Sequence, residues 1–239
     1  MTFTTVGYAI LGGLLPSFIW LYFLLKEDAR CPEPKTMIAL AFIAGMAAVP
    51  LALPIERMAC AQLGGCLAAP PPPVVLAWAT IEEVLKYAMA AAFILWRPSV
   101  DEAPDYVIYL LTVALGFAAA ENMLFLFTPF STGNFASGVF TGDLRFLGST
   151  LLHVIASSAI GFSLAFSARA TPGVRTGAAA LGLILAIGLH TAFNTLIMAS
   201  GGSTALVAFF LVWTVAIIFF VAFERLKYVR YRDLSTNTC

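Results

Sequence analysis

"WATIEEVLKYAM", residues 78–89, is the stretch on which the fold of this chain turns. Two adjacent glutamates, Glu82 and Glu83, and Lys86 one helical turn later stand inside one of its most apolar regions. A water-exposed helix carries such a triplet routinely. A helix surrounded by hydrocarbon carries it only where the charges have partners or work to do. Which solvent this helix meets is therefore the first question.

Composition answers it. Of 239 residues, 61% are hydrophobic and 11% charged, and the mean hydropathy is +0.93. Soluble domains carry about a quarter charged residues, so this chain cannot cover a water-facing surface. It reads as an all-α integral membrane protein whose surroundings are the lipid bilayer. A formal net charge of zero and the lack of basic runs exclude nucleic acid as a partner class. No linker or low-complexity tract divides the sequence, so residues 1–239 read as a single polytopic membrane domain.

Crossing a bilayer as helix takes about 20 apolar residues. Seven segments qualify, over residues 5–25, 36–54, 74–96, 106–127, 146–168, 177–199 and 203–223. The first lacks a basic n-region and is long enough to span, so it reads as a helix rather than a cleaved signal. Between the second and third lies "IERMACAQLGGCLAAPPPP", residues 55–73, which is too broken to span and predicts a surface helix or re-entrant turn.

Lys and Arg set the orientation. With seven spans, Lys26, Arg30, Lys35, Arg97, Arg169, Arg175, Arg225, Lys227, Arg230 and Arg232 fall on one side, and Arg57 and Arg145 on the other. That asymmetry places the N-terminus outside and the C-terminus in the cytoplasm of a cell (plasma or inner) membrane protein. Cys60 and Cys66 then share an external loop, where an oxidising compartment can pair them; unpaired small apolar residues are an equal reading. Cys31 and Cys239 fall on the cytoplasmic side and are expected reduced.

The ionisable residues within the spans are few: Glu82, Glu83 and Lys86 in the third, Glu121 in the fourth, His153 in the fifth and His190 in the sixth. Asn122 follows Glu121, and Asn194 stands one turn after His190. Counted from the external ends at about 1.5 Å per residue, all lie roughly 12–17 Å deep. Four helices of alternating direction thus bring their buried acids and imidazoles to one layer. A common depth predicts one polar active-site cavity in the extracytoplasmic half of a bundle of about seven helices. Glu82 and Lys86, at i and i+4, share a face and can pair, which leaves Glu83 rotated by about 100° and free to face the cavity. Arg145, Ser149 and His153 form a similar row on the fifth span.

Taken singly, Lys86 reads best as a packing salt bridge, His153 and Asn194 as interhelical hydrogen-bonding residues, and Glu121 as a silent protonated acid. Taken together they make a reaction centre. A desolvated carboxylate can take a proton from water and return it to a leaving amine. An imidazole with an amide can stabilise an oxyanion. Peptide hydrolysis without a covalent intermediate follows, with Glu83 as the expected base. No serine or cysteine nucleophile is convincingly paired with a base. Glu83, Glu121, His153 and His190 are also an adequate zinc set, so a metal-activated water is an equal reading.

The motifs "EEVLK" (82–86), "GFAAAEN" (116–122), "LLH" (151–153) and "GLHTAFN" (188–194), in this order on successive helices, resemble the PrsW family of intramembrane proteases. More distantly they resemble the CAAX prenyl endopeptidase and bacterial ABI superfamily. The resemblance covers residues 77–195. It implies that Glu82 and Glu83 are the catalytic carboxylate pair, with Lys86 completing their motif, and that Glu121, supported by Asn122, is the acid characteristic of PrsW. His153 becomes the first histidine, and His190 with Asn194 the second histidine motif. Lys86 stands where CAAX enzymes carry an arginine one residue later, which favours PrsW. The implied substrate is a single-pass membrane protein such as an anti-sigma factor, cut on its extracytoplasmic side. The alternatives are a CAAX/ABI-type endopeptidase with another substrate and a proton-coupled transporter, because buried Glu, His and Lys also build proton relays.

Overall fold

The computed structural model describes residues 3–28, 31–66, 70–198 and 204–234. Arg30, Gly201 and Cys239, which entered the orientation, depth and redox expectations, lie outside them. Among the described residues every regular element is helical: α1 (Phe3–Glu27), α2 (Lys35–Gln62), α3 (Pro72–Phe93), α4 (Ala103–Ser131), α5 (Phe135–Leu144), a π-helical turn (Arg145–Ser149), α6 (Thr150–Phe166), α7 (Pro172–Met198) and α8 (Ala205–Leu234).

Six helical runs are long and apolar enough to cross a membrane, with α5, the π turn and α6 counting as one run of 32 residues. The remaining expected span, α3, has 22 residues but carries Glu82, Glu83 and Lys86, all three buried. Residues on the outer faces of α1, α7 and α8, among them Leu15, Ile184, Leu206 and Phe210, are exposed and apolar, as suits contact with lipid.

The central element is α4, which packs against α1, α2 and α6. Its hydrophobic residues point in every direction, as a helix surrounded by protein requires. Small residues let its neighbours approach. A Cβ on Gly45 of α2 would overlap the Val113 carbonyl, and one on Gly116 of α4 would overlap the Phe42 carbonyl. At the α6–α7 contact a Cβ on Gly182 would stand 2.7 Å from Ile160 Cα. Gly188, two residues before His190 on α7, faces open space instead.

Two boundaries differ from expectation. The segment 55–62 is not a separate surface element: α2 continues through Pro50 and Pro54 to Gln62. A membrane helix tolerates proline where its surroundings re-satisfy the freed carbonyls. The helix stops at Gly64 and Gly65, whose φ values of 119° and 92° are open chiefly to glycine. The fifth span begins earlier, at Phe135, because Gly133 (φ 76°) turns the chain after α4 and Asn134 caps α5 by accepting from the Ser137 amide.

Cys60 and Cys66 are disulfide-bonded. Cys31 is disulfide-bonded as well, against the expectation of a reduced thiol. Because α2 runs between them, Cys31 and Cys60 stand at opposite ends of one spanning helix, and only one of those ends can face an oxidising compartment.

Candidate active site

The charged triplet of α3 is buried among α4, α6 and α7. Lys86, with no exposed surface, places its ammonium 2.7 Å from Glu83 Oε1 and 3.7 Å from Glu82 Oε2. Sequence spacing suggested the reverse pairing, with Lys86 on Glu82. The tertiary neighbours decide otherwise. Glu83, also fully buried, bonds His190 Nδ1 of α7 at 2.8 Å and accepts from Ser157 Oγ of α6 at 3.2 Å. Three helices thus converge on this carboxylate, and both its oxygens are engaged.

Glu82 is left on the other side. It is only 6% exposed, yet its Oε2 has no hydrogen-bond partner. That oxygen lies 3.8 Å from His190 Nε2 and 3.9 Å from His153 Nδ1. The two imidazoles meet edge to face with centroids 5.1 Å apart.

The hydrogen bonds fix the state of each ring. A carboxylate can only accept, so His190 donates through Nδ1 to Glu83, and in the neutral imidazole the lone pair of Nε2 is then turned toward Glu82. Lys86 can only donate, and its Nζ stands 2.8 Å from His153 Nδ1. His153 therefore accepts at Nδ1 and donates from Nε2 to Glu121 Oε2 at 3.0 Å. Glu121 is also ion-paired with Arg145. Arg145 further donates to Asn122 Oδ1, lies over the Phe125 ring, and comes from the π turn, a distortion that often marks functional positions. Asn122 is buried and donates to Thr150 Oγ1.

Glu82, Glu121, His153, His190 and Asn194 line one cavity of about 920 Å³, together with Arg145 and Ser149. The row Arg145–Ser149–His153 thus faces one space. Glu83 does not reach it, contrary to the expectation that it would be the free acid: it stands behind the histidine it orients. Three residues escaped the sequence reading. Ser157 sits one turn after His153, a spacing that could have revealed it. Arg145 was seen only as part of a row. Glu56 was assigned to the broken external segment and instead lines the cavity from α2.

As donors for a cation, Glu82, His153 and His190 each offer an atom within 4.8 Å of the others. The buried, unpartnered Oε2 of Glu82 and the free lone pair of His190, whose Nδ1 is oriented by Glu83, fit such a group; His153 joins it only where a cation displaces Lys86 from Nδ1. The expected ligands Glu83 and Glu121 are not in this set, because Glu83 is consumed by Lys86 and His190, and Glu121 by Arg145 and His153.

A family model described as PrsW family intramembrane metalloprotease matches residues 33–223. Protease PrsW of Geobacillus kaustophilus (strain HTA426) is 30% identical over 154 residues, which cover 64% of this chain and 64% of the relative. The matched stretch therefore falls short of two thirds of that relative's length. No solved structure matches.

Proposed function

The chain belongs to the PrsW family, and on that premise we propose that it is a seven-span membrane endopeptidase that hydrolyses a peptide bond in a single-pass membrane protein. The observation that carries this reading is Glu82 Oε2, a buried carboxylate oxygen without a donor that faces two oriented imidazoles across a cavity. A peptidase in a membrane needs water held against a proton acceptor, and this buried oxygen, beside both imidazoles, is an acceptor that no donor uses.

In this scheme Glu82 takes the proton of the attacking water and returns it to the leaving amine. Asn194, one turn after His190 on α7, presents its amide N–H to the substrate carbonyl, where the oxyanion develops, while His190 Nε2, an acceptor beside Glu82, helps hold the attacking water. Glu83 holds His190 in its tautomer, and Glu121 does the same for His153. Lys86 neutralises Glu83 and keeps the third carboxylate of this layer, Glu121, from facing two unmatched negative charges. A divalent metal, which the description of the matched family implies, would be held by Glu82, His153 and His190 and would supply Lewis-acid polarisation there.

The orientation that Lys and Arg favour puts this cavity in the extracytoplasmic half, and an anti-sigma factor cut on that side is the substrate type this reading favours. The test is cleavage in proteoliposomes of candidate single-pass anti-sigma factors by the wild type and by Glu82→Gln. Cutting by the wild type alone supports the scheme. Equal cutting by both removes Glu82 from it.

A further inference from the structure

The cavity contains a carboxylate for which the hydrolysis scheme has no use. Glu56 lies in the last two turns of α2 and lines the same space as Glu82, Trp78 and Asn194. Of the other carboxylates there, Glu121 is matched by Arg145, and Glu82, with Lys86 at 3.7 Å, is the one the hydrolysis scheme uses. The carboxylate of Glu56 makes no hydrogen bond or ion pair among the described residues; its one hydrogen bond is through its backbone oxygen, which accepts from Trp78 Nε1 at 3.4 Å. Its electrostatic neighbours are Glu121, which repels it, and Lys86, which attracts it but is committed elsewhere.

An acid without a counterion in a spanning helix is costly. Arg145 cannot relieve it, because its guanidinium already serves Glu121, Asn122 and the Phe125 ring. Among the described residues no cationic side chain lining the cavity is left over, so a counterion for the ionised carboxylate is available only from a molecule that enters the cavity. The indole of Trp78 beside Glu56 supplies an apolar wall along which a long cationic side chain can lie.

We infer that Glu56 is a specificity residue that receives a lysine or arginine side chain of the substrate segment entering the cavity, with Trp78 alongside it. This rests on the endopeptidase reading and names a feature of the substrate: a basic residue close to the bond that is cut. With the cavity on the extracytoplasmic side the requirement is discriminating, because membrane proteins concentrate Lys and Arg on the opposite face.

The experiment uses the full chain in proteoliposomes and synthetic single-pass peptides. All share one apolar span and differ at a single juxtamembrane position, which carries Lys, Gln or Glu and is scanned outward from the span. At one position the Lys peptide should be cleaved with kcat/KM about tenfold above its Gln counterpart, the scale of one hydrogen bond to a charged group, with the change in KM. Glu56→Gln should erase that preference and Glu56→Lys should reverse it toward the Glu peptide, a swap that a merely structural role would not produce. Trp78→Phe should keep the sign of the preference and reduce its size. Kd values of the same peptides are measured in parallel on Glu82→Gln. If no peptide is cut by the wild type, the hydrolysis scheme fails, while a Lys preference in Kd that vanishes in the double variant Glu56→Gln/Glu82→Gln still supports the pairing. Equal Kd and equal kcat/KM for Lys, Gln and Glu peptides overturn it, and so does a Lys preference that survives Glu56→Gln.

Discussion

Lys86 bonds Glu83, its i−3 neighbour, at 2.7 Å and leaves Glu82 at 3.7 Å. Either glutamate is within reach of a lysine on the same helix, so the choice is made by other helices. His190 and Ser157 both claim Glu83. Once Glu83 is turned toward them, Lys86 follows, and Glu82 is released to the cavity. Two adjacent carboxylates of identical chemistry thereby acquire opposite environments, one saturated and one bare.

That division predicts opposite consequences for two isosteric substitutions. Glu82→Gln should lower cleavage by roughly 10²–10⁴, the usual contribution of a general acid–base group, while thermal unfolding in detergent stays near the wild-type value. Glu83→Gln should lower stability as well, because removing one partner of a buried ion pair costs about 3–5 kcal/mol. Unfolding scans and cleavage assays on the two variants check this. A stable Glu83→Gln beside an unstable Glu82→Gln would contradict the assignment.

Metal retention separates the two chemistries that these residues allow. Dialysis of the purified protein against zinc, followed by elemental analysis, should give about one ion per chain for a single catalytic-type site. Glu82→Gln, His153→Ala and His190→Ala should each lose it. Glu121→Gln should retain it with affinity weaker by about 10–100-fold, since Glu121 acts only by orienting His153. Cleavage that persists in chelator, by protein containing no metal, leaves Glu82 as the sole activator of water.

The layer of polar residues was legible in the sequence because depth in a membrane helix is a matter of counting. Glu82, Glu121 and His190 stand about eight to ten residues from the ends of α3, α4 and α7, and with His153 and Asn194 they line one cavity. Facing was less legible. Helical spacing gives the angle between Glu82 and Glu83 but not which of them looks at α7. Glu56 was missed for a different reason: the second span was bounded at residue 54 and residues 55–73 read as too broken to span, whereas α2 passes Pro50 and Pro54 and carries Glu56 into the bundle. The early start of the fifth span was missed because a glycine with positive φ and an asparagine cap are weak signals inside an apolar sequence.

Close packing of α2 on α4 should make Gly45 and Gly116 intolerant of even one methyl group. In each case the added Cβ would meet a backbone carbonyl, which cannot move aside as a side chain can. Gly45→Ala and Gly116→Ala should each cost at least about 1–3 kcal/mol, the usual penalty of overpacking, seen as a lower Tm. Gly188→Ala, with nothing within 4 Å of its added carbon, should leave Tm unchanged. Equal Tm for all three variants would mean that α2 and α4 are not in close contact.

The two bonded cysteine sites give a direct test of orientation. Cys60, at the C-terminal end of α2, is bonded to Cys66, and Cys31 precedes the N-terminal end of the same helix and is also bonded. A thiol–disulfide pair is kept oxidised outside the cytoplasm and reduced within it, so in a living cell only the bond on the outer face should persist. The distribution of Lys and Arg puts Cys60 and Cys66 on that face. Intact cells treated with a membrane-impermeant reductant and then an impermeant maleimide should therefore label Cys60 and Cys66, and should label neither without the reductant. Cys31 should react only after the membrane is opened, and then without any reduction step. The opposite pattern, with Cys31 labelled from outside, would turn the protein over. It would place the cavity with Glu82, His153 and His190 in the cytoplasmic half of the bilayer, and the substrate would then be cut on its cytoplasmic side.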